Sequence, residues 1–268
     1  MSISLPNIFA YCNTYDRPQC VANIIQMWEA MEYAGDHHLL ILDDGWQYRD
    51  QPSGDRWEIV SIKRRLASLG EKANFACSLS RPEHDLLVVV EDDDYLAPWT
   101  LQAHADAFKR GPISIPKWFF VERKSPEKLR LHHNKRLLTA HAGWAFSRDV
   151  FRRISGYPWI SIPHDHNLRL RFNEVGYGFA DSTENFPPYL VSRLLTADDQ
   201  HLSKLQSSGD PWEDMERELQ PVKDLPIPSA ANFNQLIHEH LGFGSVSDSL
   251  SMAMMQWKSM LSKMDNQL

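Results

Sequence analysis

Asp85-Leu-Leu-Val-Val-Val-Glu-Asp-Asp-Asp-Tyr-Leu-Ala-Pro98 is the stretch whose reading decides the fold of this chain. Its apolar run, Leu86 to Val90, has the length of a strand buried on both faces, and it stops abruptly at Glu91, Asp92, Asp93 and Asp94. Four adjacent carboxylates at a buried strand end repel one another and need a counter-charge. A hard divalent cation supplies it: Mg²⁺ or Mn²⁺ takes oxygen ligands from one or two carboxylates and keeps its other positions for water and phosphate. The other reading is an acidic helix start, since Pro98 suits a first turn and carboxylates favour the positive end of a helix dipole. That reading accounts for one or two of the acids.

Working outward from this strand, residues 7–13 read as a first strand that runs into the polar turn Thr14-Tyr-Asp-Arg-Pro18 and then a helix through Met31. Residues 38–42 form a second short apolar strand, which also ends in acids, Asp43-Asp44-Gly45. Helical spacing is read over residues 56–70, with Gly70 as its stop, and a second short helix over residues 74–79. Strands separated by helices, with polar residues at their C-terminal ends, predict a doubly wound parallel sheet whose ligands bind beyond those ends. The expected site is therefore shared by Thr14 to Arg17, Asp43 and Asp44, and Glu91 to Asp94.

After a helix over residues 98–109 the pattern changes. Residues 113–121, 128–133 and 142–146 read as shorter strands of a mixed sheet, with Pro112 and Pro116 limiting their pairing. Helices follow at residues 148–154 and 164–175, then a short strand at 176–180 and irregular chain from Asp181 to His201. A polar, proline-punctuated stretch, residues 202–228, reads as a linker. Two amphipathic helices, residues 230–241 and 246–264, complete the chain, the second rich in methionine and suited to a cover or an oligomer contact.

The 268 residues, 43% hydrophobic, can bury one large core with an appendage. A net charge of −7 exerts no general pull on nucleic acid or anionic lipid, although residues 123–136 form a local basic segment. Cys12, Cys20 and Cys77 have no metal-type spacing and read as reduced thiols. No apolar run approaches the ~18 residues that a membrane span needs, so the expectation is a cytoplasmic protein without membrane insertion.

Four segments, taken in order, resemble glycosyltransferase family 2, the GT-A fold. They are Thr14-Tyr-Asp-Arg-Pro18; Leu42-Asp-Asp-Gly45; Val90-Glu-Asp-Asp-Asp-Tyr-Leu-Ala-Pro98; and Gly143-Trp-Ala-Phe-Ser-Arg-Asp-Val-Phe-Arg-Arg-Ile-Ser-Gly-Tyr-Pro158 with His164-Asp-His-Asn-Leu-Arg-Leu-Arg171. The ordered set is more specific than any one motif. It implies an α/β chain in which a Rossmann-like nucleotide-binding sheet is fused to a smaller mixed acceptor-side sheet, residues 1–205, followed by a linker and helical extension, residues 206–268. The implied activity is metal-dependent, inverting transfer of a sugar from a nucleotide diphosphate sugar, UDP-linked by preference, to an acceptor hydroxyl.

The resemblance also implies roles. Asp93 fills the principal metal-ligand position of the DXD region, and Glu91 stands where an Asp is usual, keeping the carboxylate with a longer reach. His201 is the candidate third ligand for Mn²⁺ or Mg²⁺. Asp94 and Asp92 would serve the donor rather than the ion, Asp94 positioning the sugar's hydroxyls and Asp92 pointing away from the metal. Thr14, Asp16 and Arg17 would cradle the nucleoside, and Asp43 or Asp44 would accept a hydrogen bond from its base or ribose. Arg64, Arg65 and Lys72 are candidate pyrophosphate contacts. Asp165 occupies the position of the catalytic base, while His164 replaces the Glu of the usual Glu-Asp pair and is an acceptor-side candidate that assists, binds metal or caps the helix. Trp99, Trp118, Trp144 and Trp159 are candidates for stacking on an acceptor, Trp144 first among them.

Two rival classes share these features. A nucleotidyltransferase would want a glycine-rich phosphate loop, and Cys12 to Pro18 contains no glycine. A non-catalytic sugar-nucleotide-binding module would have no need of Asp165. The acceptor is either a saccharide or, by a fainter resemblance to the small bacteriophage glycosyltransferases, a hydroxymethylated pyrimidine in DNA.

Overall fold

The computed structural model describes residues 4–123, 129–134, 141–161 and 164–194, together with Met254, Met255 and Lys258. Strand β1 (Ile8–Thr14) is central because it is apolar on both faces. Ile8, Ala10 and Cys12 enter one core, and Phe9 and Tyr11 enter the other. It pairs in parallel with β2 (His37–Asp43) on one side and with β4 (Leu86–Glu91) on the other. The first core is closed by α1 (Pro18–Glu29) and α3 (Thr100–Phe108), and the second by α2 (Leu69–Ser78), α4 (Arg148–Arg153) and α5 (His164–Glu174). Helices therefore cover both faces of the sheet, as an all-apolar central strand requires.

Strand β3 (Trp57–Ser61) extends the sheet beyond β2, and β9 (Ala145–Ser147), β6 (Ile113–Ile115) and β10 (Ala180–Asp181) extend it beyond β4. The order among the described residues is β10-β6-β9-β4-β1-β2-β3, with β9 antiparallel to both its neighbours. A second, four-stranded mixed sheet has the order β5 (Tyr95–Leu96), β11 (Leu190–Leu194), β7 (Trp118–Arg123) and β8 (Leu129–His133).

Four sequence expectations need correction. Residues 56–70 are not a helix: β3 lies parallel on β2, with Ile41 opposite Ile59. Ile59 enters the first core while Val60 and Ile62 lie against the second, an alternation that pairing with β2 selects over the equally visible helical spacing. Gly70 is not a helix stop either. It lies in the first turn of α2, where Ser68 caps the helix by accepting a hydrogen bond from the Glu71 N–H at 3.0 Å. The Ser68-Leu-Gly-Glu71 spacing is a helix-start signature that the sequence reading passed over. Residues 113–121 are two strands in different sheets, divided at Pro116. The chain beyond Asp181 is not wholly irregular, because β11 lies between β5 and β7.

The expected linker and the two expected C-terminal helices lie outside the described residues, apart from helical Met254, Met255 and Lys258; Met254 packs on the first core. Cys12, Cys20 and Cys77 form no disulfide. No described helix is long and apolar enough to cross a membrane.

Candidate active site

Register brings the polar strand ends to one edge. Thr14 stands opposite Asp43, Asn13 opposite Glu91, and Asp43 opposite Ser61. The chain then turns sharply after Glu91: the Asp94 N–H approaches the Glu91 carbonyl oxygen at 3.4 Å, which brings these two residues together. As a result Glu91, Asp93 and Asp94 offer carboxylate oxygens that all lie within 4.8 Å of one another.

Asp92 faces the other way. Its carboxylate accepts from the Thr14 hydroxyl at 2.8 Å and from Arg17 Nη1 at 2.7 Å, and the same Arg17 nitrogen lies 3.3 Å from Asp93. Arg17 thus carries a positive charge into the acid cluster at the head of α1. Asp16 takes a positive φ of 55° in this turn and accepts a hydrogen bond from the Gln47 side chain at 3.0 Å.

The second acid pair is spent largely on protein groups. Asp43, fully buried, accepts from the Gly45 and Gln47 N–H groups, both at 2.7 Å, and from the Ser61 hydroxyl at 2.6 Å. It builds its own turn and ties β2 to β3. Asp44 accepts from Lys72, Arg65 and the Leu66 N–H. Burial lowers the Lys72 pKa, and the nearby Asp44 carboxylate only partly offsets this. Arg65 also lies over the Tyr15 ring, 3.5 Å from its centroid. Arg64 is turned outward and pairs with Glu71.

On the far side of the acids stands a group that sequence reading missed. His141 Nδ1 lies 3.1 Å from Glu91 Oε1, and its Nε2 lies 2.7 Å from the Tyr157 hydroxyl, itself 2.6 Å from the Tyr11 hydroxyl. No motif spacing marks a lone His141 fifty positions beyond Glu91 in sequence. Desolvation raises the Glu91 pKa, but the His141 hydrogen bond and the positive potential of His141 and His164 outweigh it, and the net shift is downward. The His164 ring stands edge-on to His141 at 5.1 Å, and its Nδ1 is held at the Ser161 carbonyl oxygen. Burial is the largest reason its pKa falls, with His141 adding to the effect. Asp165, partly buried in the first turn of α5, is close enough to raise the Glu91 pKa.

Of the four candidate tryptophans, Trp99, Trp118 and Trp144 are core residues, and Trp144, at 1% exposure, has no face open for stacking. Trp159 is 72% exposed on the loop that leads into α5. His201 lies outside the described residues.

Neither a protein-family model nor any curated protein matches the chain. Solved structures do. S. aureus TarS 1-349 in complex with UDP-GlcNAc superposes with a TM-score of 0.58 at 12% identity, over 88% of this chain and 71% of that one. Mannosyltransferase PcManGT from Pyrobaculum calidifontis, in complex with GDP-Man and Mn²⁺, gives 0.51 at 14% identity over 97% and 81%. The fold is GT-A. Against another structure of TarS 1-349 the match spans 60% of that chain, and against a longer TarS structure 37%.

On the GT-A frame the acid cluster lies at the carboxyl edge of the parallel strands, where open α/β sheets bind ligands. The residues fit a hard divalent cation, because three carboxylates converge with an oxygen-only donor set. Arg17 is bonded into this cluster through Asp92 and Asp93, and Asp165 is near enough to influence Glu91.

Proposed function

We propose that the chain is a metal-dependent glycosyltransferase that moves a sugar from a nucleoside diphosphate sugar, UDP-linked by preference, to an acceptor hydroxyl with inversion. The observation that carries this reading is the convergence of Glu91, Asp93 and Asp94 at the carboxyl edge of a GT-A sheet. UDP-GlcNAc bound to TarS and GDP-Man with Mn²⁺ bound to PcManGT support the class of donor.

In this reading Glu91 and Asp93 would hold Mn²⁺ or Mg²⁺, and Asp94, whose carboxylate converges on the same point, would meet the donor sugar beside the ion. Bound by these carboxylates, a divalent ion would supply positive charge to the leaving diphosphate. Arg17 is the protein cation placed to meet the same diphosphate, and the Thr14–Arg17 turn lines the nucleoside side. Asp43 and Asp44 act by building the wall of that side, since their oxygens already serve Gly45, Gln47, Ser61, Arg65, Leu66 and Lys72. Asp165 accepts the acceptor's proton as its hydroxyl attacks the anomeric carbon from the face opposite the leaving group.

The acceptor is a saccharide or a hydroxymethylated pyrimidine, and Trp159 replaces Trp144 as the aromatic residue suited to meet it. In this reading residues 1–205 carry the catalysis of a cytoplasmic protein, and residues 206–268 are where copies of it associate.

The test is release of free nucleotide from a panel of UDP- and GDP-sugars, with Mn²⁺ or with EDTA. We expect turnover that requires the metal and is lost in Asp93→Asn. Metal-independent turnover, or an Asp93→Asn variant as fast as the parent, sinks the proposal.

A further inference from the structure

Glu91 differs from its two partners in the acid cluster by one methylene, hence one more torsion to immobilise before its oxygen can serve a cation. The restraint comes from the other side of the sheet edge. His141 is 8% exposed, Tyr157 0% and Tyr11 1%, and the three are joined in one line by hydrogen bonds of 2.7 and 2.6 Å that ends on Glu91 at 3.1 Å.

The direction of the bond at the Glu91 end is fixed by chemistry. A carboxylate only accepts, so His141 Nδ1 carries the proton toward Glu91 Oε1. On the other side Nε2 meets the Tyr157 hydroxyl, which is bonded in turn to the Tyr11 hydroxyl, so both ring nitrogens are held. The imidazole is also walled in. Trp144, Tyr157 and His164 each meet it edge-on, with centroids 5.4, 5.7 and 5.1 Å away. A ring so held cannot turn its Nδ1 away from Glu91.

The structure assigns His141, held by the Tyr157–Tyr11 pair, as the positioning residue of the cation site: it fixes Glu91 through Oε1 and leaves Oε2 for the ion. This rests on the reading of Glu91 as a cation ligand given above. An outer partner of a metal-ligating carboxylate is worth roughly ten- to a hundredfold in metal affinity, and that is the effect expected here. Tyr11 and Tyr157 act one bond further out, and loss of a single neutral hydrogen bond there corresponds to about three- to tenfold.

The experiment titrates Mn²⁺ alone into the full chain, following free Mn²⁺ by electron paramagnetic resonance, with thermal unfolding recorded for each variant. His141→Phe is expected to weaken Mn²⁺ binding by roughly ten- to a hundredfold. His141→Asn, whose amide can still donate to Glu91, is expected to recover part of that loss, and Tyr157→Phe to weaken binding by about three- to tenfold. A residue that merely fills space would lower the melting temperature and leave Mn²⁺ affinity alone. Parental affinity in both His141→Phe and Tyr157→Phe, with binding lost in Asp93→Asn, overturns the assignment while sparing the metal site. Parental affinity in Asp93→Asn overturns the metal reading and the assignment with it. Where His141→Phe does not fold, Tyr157→Phe decides, and unchanged affinity there overturns the proposal.

Discussion

Lys72 Nζ donates to both the Thr14 carbonyl oxygen and the Asp44 carboxylate, so one buried ammonium ties the end of β1 to the end of β2 beneath the candidate site. Lys72 is 4% exposed and Asp44 5%. A charge pair this buried is costly to assemble and costlier to halve, because the surviving partner keeps its desolvation penalty.

Lys72→Met is therefore expected to lower stability by about 3 kcal/mol in a denaturant titration. Arg65 remains beside Asp44 and limits the loss. Adding Asp44→Leu to Lys72→Met should recover part of it, since both buried charges are then gone. A double variant less stable than Lys72→Met alone would contradict this account.

Gly70 is where α2 meets the loop that leads into α5. A Cβ there would lie 1.8 Å from the Pro158 carbonyl oxygen and 3.1 Å from that of Ile160, while the Gly70 N–H donates to the Ile160 carbonyl oxygen at 3.0 Å. Backbone atoms cannot rotate aside, so Gly70→Ala must push this loop away. We expect a loss of about 1–3 kcal/mol by thermal unfolding and a larger proportional loss of nucleotide release, because His164 and Asp165 follow that loop.

His104 is fully buried and its Nδ1 bonds the Ser114 hydroxyl at 2.8 Å, whereas Nε2 has no hydrogen-bond partner among the described residues. Burial lowers its pKa from 6.5 to about 3. Between these values the unfolded chain binds the extra proton and the folded one does not. The contribution of this residue is thus complete above pH 6.5 and is lost as pH falls toward 3. By pH 5 the loss reaches about 2 kcal/mol. His104→Gln should show a shallower fall in melting temperature between pH 7 and pH 5; an equal slope would exclude His104 as a source of acid sensitivity.

Asp165→Asn keeps the shape of the α5 start but removes the proton acceptor. Turnover is expected to fall by roughly 10²–10⁴, with Mn²⁺ affinity unchanged within about twofold. A nucleotide-release assay paired with Mn²⁺ titration separates this outcome from a variant that has lost the metal.

The central strands were legible because burial on both faces leaves an apolar run that no amphipathic helix produces, as in Leu86–Val90. β3 was not, because Trp57, Val60 and Ile62 satisfy a helical spacing, whereas the strand puts Trp57 and Ile59 on one face and Val60 and Ile62 on the other. Only the pairing of Ile59 with Ile41 separates the two. Asp43 shows the same gap at the site: a carboxylate after a strand looks like a ligand, and its three protein donors become visible only when the turn and Ser61 are in place.

The order of motifs along this chain determined its fold class and where its acids gather, since strand burial and the polarity of strand ends are local properties that survive in one dimension. Which acids face one another was decided by the fold. Asp92 turns to Thr14 and Arg17, Glu91 turns to His141, and Asp43 and Asp44 turn inward to the protein. Each choice depends on partners that are distant in sequence, and hydrogen-bond geometry at a few ångströms leaves no trace in residue order.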